Sequence, residues 1–339
     1  MINIKFTIIA LYIYFSYLLT GLLFLCPITL INIFNKNVGF FIKNVYAMSI
    51  GFILKYILKV ELYVNNNKIA NELINNDEQI ILIQNHFSEI DFLCLSYFML
   101  NIKRSFNFKL ISVLKKNVGL LLIGFGLIST LSKDLYISRD INNDKKLLKK
   151  NNNSNILYIF PEGTCYNKKT KEISDKYVKK NNLIKYKYLL YPRVTGLMTI
   201  INSHKNYKKI FDFTVLYDTI LKKDLLENHK FIYFFYKYKF PTKIFININK
   251  YNIDNDLNNN KLKDLLEDIF YDKDKFIKKF DINNNNFIKF NSIYYKGCLS
   301  FISTLLISFI SIYLFIVFDF IKSLYFVEII CFILYFIFL

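Results

Sequence analysis

The chain has 339 residues, 53% hydrophobic and 18% aromatic, with no tryptophan and a formal net charge of +19. A soluble domain is usually about 45–50% apolar with glycine counted, so part of this excess is expected in lipid. The basic balance does not read as nucleic-acid binding, because neither zinc-finger spacing nor a compact Lys/Arg recognition helix occurs; lysines scattered among apolar stretches suit an anionic membrane surface better. Cys26, Cys94, Cys165, Cys298 and Cys331 stand alone, and point to neither a disulfide framework nor a metal site.

Residues 6–26 carry no charge and reach the roughly 20 residues that one membrane crossing needs. The rival, a cleaved signal peptide, has an apolar region of about 7–15 residues and a small-residue cleavage site, and neither is present. Pro27 marks a kink or an end. Residues 39–60 are a second apolar segment, broken by Lys43, Asn44, Lys55 and Lys59. It predicts a helix in the interface or re-entering the bilayer with its lysines snorkelling, or a second span. Residues 1–60 thus read as an N-terminal membrane anchor.

Between 61 and 290, short apolar β-type runs alternate with helical patterns. Strands are expected at 79–84, 109–114, 134–138, 156–160, 210–217 and 243–249, with helices notably after 91, 140 and 194. That alternation predicts an α/β domain, a central mixed sheet flanked by helices. The asparagine-rich stretches 151–153, 255–260 and 283–286 read as exposed loop insertions. Residues 299–320 and 323–339 are each close to spanning length and predict a C-terminal transmembrane hairpin, although Asp319 and Glu328 are costly in lipid. Lys36, Lys43 and Lys296 beside these segments place the central domain on the cytosolic side; Lys322 at the hairpin tip runs against that placement.

Chemistry concentrates in Gln84-Asn85-His86-Phe87-Ser88-Glu89-Ile90-Asp91, between an apolar β-branched run and a segment with room for a helix. Residues five apart on a helix point about 140° apart, so contact between His86 and Asp91 requires His86 just outside the helix. Ser88 as N-cap would put Asp91 in the first turn. A carboxylate held there orients the imidazole and selects its tautomer, which equips His86 as a general base toward a hydroxyl. The plain alternative is structural: Ser88-x-x-Asp91 is close to a capping box, and an acid in a first turn is favoured without catalysis. Arg139, at the end of the run Leu135-Tyr136-Ile137-Ser138, suits a bidentate grip on phosphate, against the commoner solvated arginine. The run Ile156–Phe160 enters Pro161-Glu162-Gly163-Thr164, where Pro ends pairing and Gly permits close approach to a ligand. Pro192-Arg193 repeats the arrangement and supplies a second anion contact. The nucleophile elbow, the zinc-protease helix motif and a complete dinucleotide fingerprint are missing.

Together these pieces resemble the glycerophospholipid acyltransferase family. Asn85-His86-x-x-x-x-Asp91 matches its first motif, Tyr136–Arg139 the second, Phe160-Pro161-Glu162-Gly163-Thr164 the third and the stretch around Pro192 the fourth, in family order. The run from Lys179 through Tyr191-Pro192-Arg193-x-Thr195-Gly196 looks like the eukaryotic branch that holds lysocardiolipin and several lysophosphatidate acyltransferases. The resemblance implies that His86, oriented by Asp91, deprotonates a lysophospholipid hydroxyl, which attacks the thioester of acyl-CoA. It also implies that Asn85, Arg139, Glu162, Gly163, Thr164, Pro192 and Arg193 bind the substrates. Neither a metal nor a cofactor is expected beyond acyl-CoA as co-substrate, and the expected partners are lysophospholipid and membrane lipids. The expected acceptor is 1-acyl-sn-glycerol-3-phosphate, with lysophosphatidylinositol or lysocardiolipin remodelling as the alternative. A non-catalytic membrane lipid-binding protein is the rival of another class. The expected location is the endoplasmic reticulum membrane. The chain departs from the family at Cys165, where many members carry arginine, and at Ser138, where an acidic or basic residue is common.

Overall fold

The computed structural model describes residues 4, 7–12, 37–102, 108–116, 123–138, 140–150, 154–220, 224–227, 229, 230, 233, 234, 237, 239–253, 259–282, 286–290 and 294–317. The first half runs α1 (Val38–Phe52), β1 (Glu61–Val64), α2 (Asn67–Ile74), β2 (Ile80–Gln84), α3 (Phe92–Met99), β3 (Leu110–Lys115), α4 (Ile123–Leu131), β4 (Leu135–Ile137) and α5 (Ile141–Lys150). Then come β5 (Ile156–Ile159), α6 (Lys168–Lys180), α7 (Val194–Ser203), β6 (Lys209–Tyr217), β7 (Lys243–Asn252), α8 (Asn259–Lys279), β8 (Ile288–Lys289) and α9 (Tyr294–Val317).

Among the described residues the strands form one sheet in the order β4-β3-β5-β2-β6-β7-β1-β8. The strands from β4 to β6 in that order are mutually parallel, β7 runs against β6, β1 follows β7, and β8 runs against β1. The sheet is therefore mixed. β2 reads Ile-Ile-Leu-Ile-Gln and is buried along its whole length, as a parallel strand covered on both faces must be. Chain order creates the site. β2 leads to β3, toward one edge of the sheet, whereas β5 leads to β6, toward the other. Right-handed crossovers send these two connections to opposite faces. The loops after the neighbouring strands β2 and β5 part there, opening a crevice at the C-terminal edge.

All the strands expected from the sequence are present within two or three residues. β1 and β8 were not among them, because four and two residues at a sheet edge carry little apolar period. α6 was also unexpected, yet its start is signalled locally. Asn167 Oδ1 accepts from Thr170 N–H at 3.0 Å while Thr170 Oγ1 accepts from Asn167 N–H at 2.9 Å, a reciprocal cap.

Residues 39–60, expected as an interfacial, re-entrant or spanning helix with snorkelling lysines, differ from that expectation at Lys43. α1, with a π-helical extension over Ile53–Ile57, is long and apolar enough to cross a membrane, but most of it is buried in protein. Lys43 does not snorkel. It is 7% exposed, and its ammonium meets Asp134 Oδ1 at 2.5 Å, Leu110 O at 3.1 Å and Ser112 Oγ at 3.2 Å. Gly51 lets the helix lie directly on α3, since a Cβ there would run into the Ser96 carbonyl. A lysine with a buried carboxylate partner is satisfied by protein, and water is not required. α9 begins before residue 299, packs on α1 through Gly297, and turns Leu299, Ile302, Leu306, Phe309, Ile310 and Tyr313 outward. The second arm of the expected hairpin and residues 13–26 of the first expected span lie outside the described residues.

Candidate active site

His86 stands two residues beyond the end of β2, and Asp91 immediately precedes α3. Their side chains meet, with His86 Nδ1 2.9 Å from Asp91 Oδ2. Ser88 does not cap the helix as expected. Residues 89–91 form a turn and α3 starts at Phe92, so Ser88 caps the turn: its Oγ accepts Ile90 N–H at 3.3 Å and donates to His229 O at 2.9 Å. What Ser88 contributes to the pair is its backbone N–H, 3.0 Å from Asp91 Oδ2. Asp91 Oδ1 accepts the Tyr217 hydroxyl at 2.7 Å. The Asp91 side chain is 2% exposed and that of His86 19%, so the pair opens to solvent only through the imidazole.

A carboxylate at Nδ1 makes that nitrogen the protonated one and leaves the lone pair on Nε2. Phe160 stacks on the ring, 4.2 Å between centroids at 25°. Cys165 Sγ lies 3.1 Å from Nε2 and 3.6 Å from Nδ1. Because the sulfur is nearly as close to one nitrogen as to the other, it sits over the ring and away from the in-plane lone pair of Nε2. Burial pushes the Cys165 thiol up, which keeps it neutral beside the base.

The loop after β5 closes the other side. Glu162 is 2% exposed, and its Oε1 accepts the His86 backbone N–H at 3.2 Å. Its Oε2 has no hydrogen-bond partner among the described residues. Burial, opposed only in part by the His86 N–H, raises its carboxyl to about 8. His86 O in turn accepts Tyr166 N–H at 2.7 Å, so the β2 and β5 loops are laced together on both sides of the histidine backbone. Gly163 has φ +67°, a left-handed conformation, and a Cβ there would stand 3.2 Å from Arg193 Cδ. Arg193 N–H donates to Pro161 O at 2.7 Å, which joins the loop of Pro192 to that of Glu162. Thr164 Oγ1 accepts from Lys115 Nζ at 3.1 Å.

The structure thus gathers His86, Asp91, Glu162, Gly163, Thr164 and Arg193 around one crevice. Asn85 needs correction as a substrate ligand. It is 1% exposed, with both ends of its amide on the Val215 backbone: Nδ2 to O at 3.0 Å and Oδ1 from N–H at 2.7 Å. Its role is to fasten β6 to the end of β2. Arg139 lies outside the described residues. The motifs did not signal Lys115, Phe160 as a ring platform, or Tyr217. Lys115 ends a strand parallel to β5, and that position at the C-terminal edge is the signal that could have found it.

Residues 66–218 match the family model described as Acyltransferase. Among curated proteins, lysocardiolipin acyltransferase 1 of Gallus gallus is 27% identical over 195 residues, 52% of this chain and 47% of that protein. The Danio rerio protein of the same name is 41% identical over 64 residues, 18% of this chain and 16% of its own length. Over residues 66–218, a little under half of its length, the chain is similar to the acyltransferase family. It spans about half the length, or less, of the curated relatives it matches. Among solved structures, the 1-acyl-sn-glycerophosphate acyltransferase of Thermotoga maritima aligns with a TM-score of 0.48 at 14% identity, covering 82% of this chain and 99% of that one.

Proposed function

We propose that this acyltransferase moves an acyl chain from acyl-CoA to the free hydroxyl of a lysoglycerophospholipid, with 1-acyl-sn-glycerol-3-phosphate as the acceptor. The observation that carries the reading is the His86–Asp91 contact, which leaves the Nε2 lone pair on the more exposed member of the pair. Nε2 takes the hydroxyl proton as the oxygen attacks the thioester carbonyl, the C–S bond breaks, and coenzyme A leaves as the thiol once protonated. Arg193 beside Gly163, Lys115 beside Thr164, and Arg139 supply cations for the acceptor phosphate or the donor's phosphates. The exposed apolar face of α9 suits membrane lipid, and the endoplasmic reticulum, with the domain facing the cytosol, fits a substrate that resides in that bilayer.

A second reading of the acceptor, lysocardiolipin, is favoured by the similarity to vertebrate lysocardiolipin acyltransferases. The test is coenzyme A release by detergent-solubilised protein over a panel of lysophosphatidate, lysophosphatidylinositol and lysocardiolipin. His86→Ala should lose about 10²–10⁴ in rate on the preferred acceptor. Equal rates for wild type and variant would remove His86 from the chemistry, and release with no lysolipid at all would end the acyl-transfer reading.

A further inference from the structure

The His86–Asp91 pair has a third member that none of the four motifs contains. Asp91 Oδ2 is occupied by His86 Nδ1 and Ser88 N–H, at 2.9 and 3.0 Å. Its other oxygen, Oδ1, receives the Tyr217 hydroxyl at 2.7 Å. Tyr217 is the last residue of β6 and is 2% exposed. Its placement follows from the sheet. Asn85 clamps the backbone of Val215, two residues earlier, and residues two apart on a strand share a face, so the clamp that fixes the β2–β6 register also aims Tyr217. Burial, then the charge of Asp91, push the phenol well above its usual range, so it remains a donor at physiological pH.

We propose that Tyr217 is a positioning residue, whose hydroxyl fixes the Asp91 carboxylate in the single orientation that holds His86 as the Nδ1–H tautomer with Nε2 open to the acceptor hydroxyl. The inference rests on the acyl-transfer reading, and it assigns Tyr217 no contact with substrate. Without the hydroxyl, Oδ1 is a buried acceptor with no other donor among the described residues, and the carboxylate gains freedom to turn. The imidazole then spends part of its time in the wrong tautomer or rotamer.

The test compares wild type, Tyr217→Phe, Asp91→Ala and the double variant by coenzyme A release. Tyr217→Phe should lower kcat about 10–100-fold, the scale seen when an outer partner of a functional histidine is removed. KM for both substrates should stay within about 2-fold, because no substrate contact is lost. In the Asp91→Ala background the same change should cost nothing further. A tyrosine that merely packs would reduce the rate by the same factor in both backgrounds, and that outcome overturns the proposal.

A second readout does not depend on turnover. The chain has three histidines, so ¹⁵N-histidine labelling resolves His86 from His204 and His229. The His86 tautomer signal should change in Tyr217→Phe while the other two hold; an unchanged His86 signal overturns the proposal. If wild type transfers no acyl chain but the His86 signal moves, the acyl-transfer reading falls and the positioning role stands. Fluorotyrosine at 217 keeps the shape where the Phe variant does not fold, and rates that ignore the acidity of the phenol count against the idea.

Discussion

Glu162 carries the most tension of any single side chain at the site, being buried, half hydrogen-bonded and raised to about 8. Above about pH 4.5 the unfolded chain releases this proton, while the folded protein keeps it to about 8. The folded state therefore binds more protons in that window, and the group's contribution to stability falls as pH rises through it. Glu162→Gln removes the titration while preserving an acceptor for the His86 N–H. Its melting temperature should gain on wild type between about pH 5 and pH 8 and level off above that. A constant difference across that range would mean that the carboxyl is not protonated at neutral pH. Asp91→Asn should cost about 10²–10⁴ in coenzyme A release, since an amide cannot accept from Nδ1–H and Ser88 N–H as the carboxylate does; activity within a few-fold of wild type would show that the imidazole needs no carboxylate. The His86–Asp91 contact was legible because a separation of five is unusable on one helix. The separate turn at 89–91 that Ser88 caps was not, and neither was the Ser88 hydroxyl's own acceptor, His229 O, 141 residues away. Tyr217 was hidden for the same reason, at a separation of 126.

At the scale of elements, the strands were legible because Val/Ile-rich runs bounded by polar stretches have few alternatives. Burial of polar residues inside apolar helices was not legible, since an intrahelical pattern does not say whether lipid or protein covers it. α8 shows the same device as α1. Lys273 reaches into the sheet, its Nζ 2.6 Å from Asp212 Oδ1 and 2.9 Å from Phe213 O, and both side chains are 1% exposed. Lys273→Met would leave a buried carboxylate without its cation, at a cost of roughly 3–5 kcal/mol. Chemical denaturation should show that loss. The Lys273→Met/Asp212→Leu pair should recover most of it, and failure to recover would assign the cost to packing around α8.

Across the described residues, exposed large apolar side chains are scattered over several elements, and α9 carries the longest run of them. Leu299, Ile302, Leu306, Phe309, Ile310 and Tyr313 recur at three- and four-residue intervals, the spacing of one helix face. Burying a Leu or Phe side chain is worth about 1.5–3 kcal/mol, so Leu306→Asp with Phe309→Asp should weaken association with vesicles by a factor on the order of 10² or more. Flotation would measure it. Undiminished flotation would place the anchoring elsewhere in the chain.

The buried Lys43 also sets an order of events during biosynthesis. Its acceptors on Leu110, Ser112 and Asp134 lie 67, 69 and 91 residues downstream. At roughly 5–20 residues per second, the ribosome takes on the order of ten seconds to deliver the last of them. Throughout that interval the nascent chain holds a complete 20-residue segment, apolar enough for a bilayer, in which Lys43 still lacks its acceptors. Slower synthesis between residues 57 and 134 would lengthen the interval in which this apolar segment lacks its protein partners.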